Sequence, residues 1–158
     1  MRKLDLVVSG YVVYDGRVLL IQHKKLGLWL PPGGHIDPNE APDDALKREL
    51  KEEVNLEVEL LNRNDIPPGK NIVTQLAVPF YANVHSVGDH DHCCLNYLCS
   101  TKSQEDLVIN KAEANDYAWL SEEKLSQNRI IPEIRNIALK AFELYKRINH
   151  RRIILPQP

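Results

Sequence analysis

The stretch Gly33-Gly34-His35-Ile36-Asp37-Pro38-Asn39-Glu40-Ala41-Pro42-Asp43-Asp44-Ala45-Leu46-Lys47-Arg48-Glu49-Leu50-Lys51-Glu52-Glu53-Val54-Asn55-Leu56 decides how this chain folds. From Ala41 to Val54 its pattern is helical. Pro42 suits a first helical turn, and Asp43 and Asp44 complement the positive end of the helix dipole. Asn55 stands just past the end, where a residue in the left-handed conformation commonly closes a helix. On a helix, positions i, i+3 and i+4 are neighbours, so Glu49, Glu52 and Glu53 share one arc. Leu46, Leu50 and Val54 form a stripe beside that arc, Lys47 and Lys51 lie roughly opposite, and Ala45 leaves room one turn earlier. Crowded carboxylates repel each other unless a cation offsets them. Oxygen-only ligands of this kind suit Mg²⁺ or Mn²⁺. Taken alone, the run Lys47 to Glu53 also reads as a solvated face with i,i+4 ion pairs.

The wider spacing favours the cation. Gly34, five residues, Glu40, seven residues, then Arg48-Glu49-Leu50-Lys51-Glu52-Glu53-Val54-Asn55-Leu56 resembles the Nudix box, Gly-x5-Glu-x7-Arg-Glu-U-x-Glu-Glu-x-Gly-U with U a bulky aliphatic residue. Every position is met except Asn55, where the family has Gly. Trp29-Leu30-Pro31-Pro32-Gly33-Gly34 is similar to the family's approach to its box. Asn also adopts the left-handed conformation, so the departure touches a helix cap and not a ligand.

The resemblance implies an α+β Nudix fold, a mixed sheet sandwiched between helices, as a single domain over residues 1–158 with a flexible tail from about 150. It also implies metal-dependent hydrolysis of the diphosphate linkage in a nucleoside diphosphate derivative, by in-line attack of water. By position, Glu49, Glu52 and Glu53 would hold Mg²⁺ or Mn²⁺, with the backbone carbonyl of Gly33 as a further ligand. Arg48 would orient Glu49 and pair with Glu40. Glu52 is the first choice for general base.

Outside the box, many family members add an acid from a later loop shortly before a sheet Trp. Here Glu113 is the first candidate and Asp116 the second, ahead of Trp119; plain loop solvation reads as well. Lys24 ends the second strand near where the family often sets a cation on substrate phosphates, and two exposed lysines closing an edge strand is an equal reading. His90 and His92 share a strand face beside Cys93 and Cys94, which raises zinc. No second ligand pair stands at finger-like spacing, so His92 is expected to face substrate or to be a hydrogen-bonded surface residue. Cys93, Cys94 and Cys99 read as small buried apolar residues. Asn128 resembles a base-contacting position in some relatives, an N-cap being the simpler role.

The rest of the chain gives strand patterns at 4–14, 17–22, 56–61, 73–84, 92–100 and 117–120, with Asp15-Gly16 as a tight hairpin turn and Pro31-Pro32-Gly33-Gly34 ending a short apolar piece. Ile134, Ile137, Ala138, Ala141, Phe142, Tyr145 and Ile148 form the stripe of a last amphipathic helix. With 158 residues, 43% hydrophobic and 27% charged, one ordinary globular domain is expected, with about 70% of its unfolded surface buried. A net charge of −2 argues against a general nucleic-acid binder, but it conceals a segregation. Asp37 to Glu53 holds seven acids and three bases, whereas Arg129 to Arg152 holds seven bases and two acids. Cations at the end of the last helix favour its dipole. No apolar run reaches the roughly 20 residues of a membrane span, no signal peptide is read, and adjacent Cys93 and Cys94 make a poor disulfide. A reduced cytoplasm is expected.

The substrate is set outside the box. Motifs associated with coenzyme A and NADH substrates are not seen. A free nucleoside triphosphate ranks first, with an ADP-ribose-like nucleotide, a dinucleoside polyphosphate or an RNA 5′ end as alternatives. A non-catalytic nucleotide-sensing module would be expected to lack box glutamates, and Glu40, Glu49, Glu52 and Glu53 are all present. The expected partner is the small-molecule nucleotide, with no membrane or nucleic acid and a homodimer allowed for.

Overall fold

β-Branched and aromatic residues carry β1 (Leu4–Tyr14), which turns through Asp15-Gly16 into β2 (Arg17–His23). The turn residues have φ of 46° and 68°, as a two-residue hairpin of right-twisted strands requires. The hairpin is paired only at Val13–Val18 and Tyr14–Arg17. Beyond that point β3 (Trp29–Leu30) pairs with β2, and β4 (Gly33–His35) pairs with β1. The computed structural model describes residues 2–63, 66–127 and 130–154.

The remaining strands are β5 (Glu59–Leu60), β6 (Tyr81–Ser86), β7 (Asp91–Ser100) and β8 (Ala114–Leu120). β7 runs parallel to β1, β5 and β6 pair antiparallel with β7, and β8 lies antiparallel along β2. Among the described residues the result is a mixed sheet of eight strands. The helices are α1 (Pro42–Val54), α2 (Glu122–Gln127) and α3 (Pro132–Ile154).

Strand alternation divides the apolar residues between two cores. Val8, Val12, Leu19, Ile21, Tyr97 and Cys99 bury against Ala45, Leu46, Leu50 and Val54 of α1. On the other face Tyr11, Val13, Leu20 and Leu98 bury against Leu125, Ala138, Ala141 and Phe142 of α2 and α3. Gly10 sets how closely α1 approaches, because a Cβ there would stand 2.8 Å from Leu50 Cδ1 and 3.2 Å from Leu46 Cδ1. The sheet is therefore sandwiched between helices. Among the described residues no helix is long and apolar enough to cross a membrane.

Several expected boundaries move. The strand pattern at 73–84 yields a strand only from Tyr81: Ala77 N–H donates to the Asp43 carboxylate and Val78 N–H to the Asn62 carbonyl, so these groups leave no ladder to form. Val73, read as strand, is 98% exposed. The strand at 56–61 shortens to Glu59–Leu60, and that at 117–120 begins earlier, at Ala114. Gly33 and Gly34, expected to end a ladder, form one with Ser9 and Val8. The sequence pattern gives no sign of the short α2, and the helix of α3 continues to Ile154 where a tail is expected from about 150. The three cysteines are free, with Cys94 and Cys99 buried and Cys93 partly so. Burial pushes the Cys94 and Cys99 thiols up, which keeps them protonated and inert.

Candidate active site

The acidic helix is fastened at both ends. At its start Ala41 offers no side-chain cap, and Asp43, instead of merely facing the dipole from solvent, is 6% exposed and accepts from Ala77 N–H at 2.9 Å. At its end Asn55 takes φ 55° and ψ 30°, while Asn55 N–H donates to Lys51 O at 3.1 Å and Leu56 N–H to Leu50 O at 3.3 Å. This is the left-handed closure that Gly supplies elsewhere. The Asn55 side chain adds a bond that Gly could not make, from Nδ2 to Asp106 O at 2.8 Å. The one departure from the box thus ties the helix end to the loop before β8.

The carboxylates differ by environment. Glu53 is 6% exposed, and its Oε2 accepts from Gly33 N–H at 2.8 Å. Burial raises its pKa to about 7; the Gly33 N–H opposes that rise, and the charges of Glu49, Glu113 and Glu52 add to it. Glu49 lies over Gly34, where a Cβ would stand 2.5 Å from its carboxylate. Glu52 is the open member, its side chain 58% exposed.

Arg48 binds the set together. Its Nη1 donates to Glu49 at 2.8 Å and to Glu52 at 3.3 Å, its Nε and Nη2 grip Glu40 at 2.9 and 2.8 Å, and Nη2 reaches His35 O at 3.0 Å. The bidentate guanidinium holds the Glu40 carboxyl down at about 2, and Asp37 N–H also donates to it. Arg48 thus holds the Glu40 and Glu49 carboxylates in place, the pairing that the box resemblance leads one to expect.

Gly33 enters the site through its N–H. Its φ of 153° and the 2.1 Å between a built Cβ and Val8 O leave no room for a side chain. Gly33→Ala should therefore unseat β4 and loosen the grip on Glu53. We expect a loss of more than about 1 kcal/mol in urea unfolding, with weaker Mg²⁺ binding in calorimetry.

Of the two later acids, Glu113 is the one whose charge acts on Glu53. The loop after β7 docks on the helix end, with Val108 N–H donating to Val54 O at 3.1 Å and Asn110 N–H to Glu53 O at 2.7 Å. This brings the exposed Glu113 close enough for its charge to raise Glu53. Asp116 instead closes on its own chain, accepting from Tyr117 N–H at 2.8 Å. Lys24 braces the same turn: its N–H donates to Glu113 O at 2.8 Å and its Nζ to Lys111 O at 2.7 Å. His92 sits elsewhere, among other histidines on the sheet, with burial pulling its pKa down. Asn128 lies outside the described residues. A groove of about 670 Å³ runs along α1 by Lys47, Lys51 and Arg63 and contains none of these acids.

The donor set is all oxygen, and Glu53 carries a raised pKa among like charges. A nearby cation favours the ionised form of such a group, and hard divalent ions take such ligands. The residues fit Mg²⁺ or Mn²⁺.

Comparisons with known proteins bear on the family of the chain. The family model described as NUDIX domain matches residues 3–141. A relative in Salmonella newport, Nucleoside triphosphatase NudI, is 32% identical over 102 residues, which cover 63% of this chain and 66% of that relative. The crystal structure of a Nudix-family hydrolase from Clostridium perfringens is 33% identical, covers 89% of this chain and 97% of its own, and superposes with a TM-score of 0.81. A MutT Nudix hydrolase from Burkholderia pseudomallei, 21% identical with a TM-score of 0.68 over 88% of this chain and 98% of its own, shares the fold. With the box, the sheet between its helices and these likenesses together, the chain belongs to the Nudix hydrolase family.

Proposed function

We propose that the chain hydrolyses the diphosphate linkage of a nucleoside diphosphate derivative, a free nucleoside triphosphate first among them, with Mg²⁺ or Mn²⁺. The observation that carries this reading is Glu53, buried with its pKa raised to about 7 beside Glu49, Glu52 and Glu113. The name of the Salmonella relative, a nucleoside triphosphatase, supports the ranking of substrate. Retention of Glu40, Glu49, Glu52 and Glu53 supports an enzyme over a nucleotide sensor.

Glu49, Glu52, Glu53 and Glu113 would hold the cations, with Gly33 fixing Glu53 and Arg48 fixing Glu49. When bound, the divalent cation neutralises phosphate oxygens and acidifies water. Glu52, exposed at the rim, accepts a proton from the attacking water. The water oxygen forms a bond to phosphorus as the P–O bond to the bridging oxygen breaks in line, and the second phosphate group leaves on that oxygen. Lys24 stands beside the Glu113 turn, where its ammonium holds that turn and reaches phosphate.

A panel of nucleoside triphosphates, ADP-ribose, a dinucleoside polyphosphate and a capped RNA oligonucleotide tests this, with products resolved by chromatography in Mg²⁺, Mn²⁺ or chelator. The expected result is metal-dependent turnover, fastest on a nucleoside triphosphate. Faster turnover of another class overturns the ranking. Binding without turnover of any member overturns the enzyme.

A further inference from the structure

A second group of ligating side chains lies away from the acidic arc, at the start of β1 and β7. Parallel pairing sets Asp5 opposite His92, antiparallel pairing sets Val7 opposite His35, and His90, in the bend just before β7, meets His92 Nε2 with its own Nε2. We propose that Asp5, His35, His90 and His92 form a binding site for an imidazole-preferring, tetrahedral divalent cation of the Zn²⁺ class.

The distances carry this. His90 Nε2 is 3.0 Å from His92 Nε2 and 3.5 Å from Asp5 Oδ2, and His35 Nε2 is 3.8 Å from the same oxygen. One ligand atom from each of the four residues lies within 4.8 Å of all the others. A tetrahedral site with bonds of 2.0–2.1 Å has ligand–ligand edges of about 3.3 Å, so small side-chain movements close the shell. Two imidazole nitrogens converging on each other and on one carboxylate oxygen is what a shared cation requires.

The surroundings add an independent feature. His90 Nδ1 is 2.7 Å from Asp89 Oδ1, the carboxylate–histidine arrangement that fixes an imidazole with its other nitrogen free to ligate. Lys3, its side chain 75% exposed, donates to Asp5 Oδ2 at 2.8 Å and is the group that must yield. Three imidazoles and one carboxylate prefer Zn²⁺ to Mg²⁺, which separates this site chemically from the all-oxygen helix. The two are joined through one residue, since the His35 carbonyl accepts from Arg48 Nη2 at 3.0 Å.

The test uses the untagged full chain, metal-free, in excess Mg²⁺, titrated with Co²⁺ as a spectroscopic stand-in. One equivalent should give the intense visible bands of a tetrahedral ion, and Zn²⁺ should displace it. His90→Ala should lose the bands, and so should His35→Ala, whose exposed side chain makes it the safer variant for folding, checked by circular dichroism. Asp89→Asn should weaken Zn²⁺ about 10–100-fold, whereas Glu53→Gln should keep the bands. Absence of bands in the parent protein overturns the site, as does their survival in both His variants or loss in Glu53→Gln. A strong thiolate charge-transfer band also overturns it, by moving the ion to Cys93.

Discussion

Glu52→Gln is expected to lower kcat by about 10²–10⁴-fold, the usual contribution of a positioned general base, and to leave stability within about 0.5 kcal/mol. Both halves follow from its position. The Glu52 side chain is 58% exposed, and its ion pair with Arg48, at 3.3 Å, is longer than those Arg48 makes with Glu40 and Glu49, both 2.8 Å. Removing that charge leaves Arg48 with Glu40 and Glu49, so the helix keeps its fastening. The amide preserves shape but cannot accept a proton from water at neutral pH. Steady-state rates with the best substrate, run beside urea unfolding, separate the two effects. Undiminished kcat would remove Glu52 from the base role and pass it to Glu113, for which Glu113→Gln is the deciding variant. A fall in rate matched by a fall in stability would instead mean that Glu52 is structural.

What the sequence discloses here depends on how far apart the cooperating residues lie. The acidic arc is legible because i, i+3 and i+4 on one helix fix Glu49, Glu52 and Glu53 without help from the rest of the fold. The Arg48–Glu40 pair spans only the first turns of α1 and is legible from the box. Glu113 is half legible: its type and its distance before Trp119 are visible, but its approach to Glu53 depends on Val108 and Asn110 docking on the helix end. Asp43 misleads, because its local setting at a helix start gives no sign that Ala77 will cover it. The histidines show the limit. His90 and His92 are visible as a pair, while Asp5 and His35 reach them only through strand register, which no ligand spacing encodes. Zinc-finger spacing reads ligands close in sequence, and so it passes over a site assembled across a sheet.

Glu53 should make the metal-free protein less stable as pH rises from about 4.5 to 7, against the trend of a typical carboxylate. Its pKa is raised from 4.5 to about 7 in the fold, chiefly by burial. Below 4.5 it is protonated in both folded and unfolded chains. Between 4.5 and 7 the unfolded chain releases its proton while the fold retains it, so unfolding grows easier through that window. The full span corresponds to roughly 3 kcal/mol, at 1.36 kcal/mol per pKa unit. Glu40 works in the opposite sense and lower down: held at about 2, its contribution is present above 4.5 and is lost as pH falls toward 2. Urea unfolding in chelator from pH 4.5 to 8 should therefore show a decline that Glu53→Gln flattens. That difference isolates Glu53, because the six histidines are common to both proteins. Added Mg²⁺ should restore more stability at pH 8 than at pH 5.5, because the cation competes with a proton for the same oxygens. Equal slopes for the parent and Glu53→Gln would show that Glu53 is ionised without strain, and that its burial does not hold it in wait for a cation.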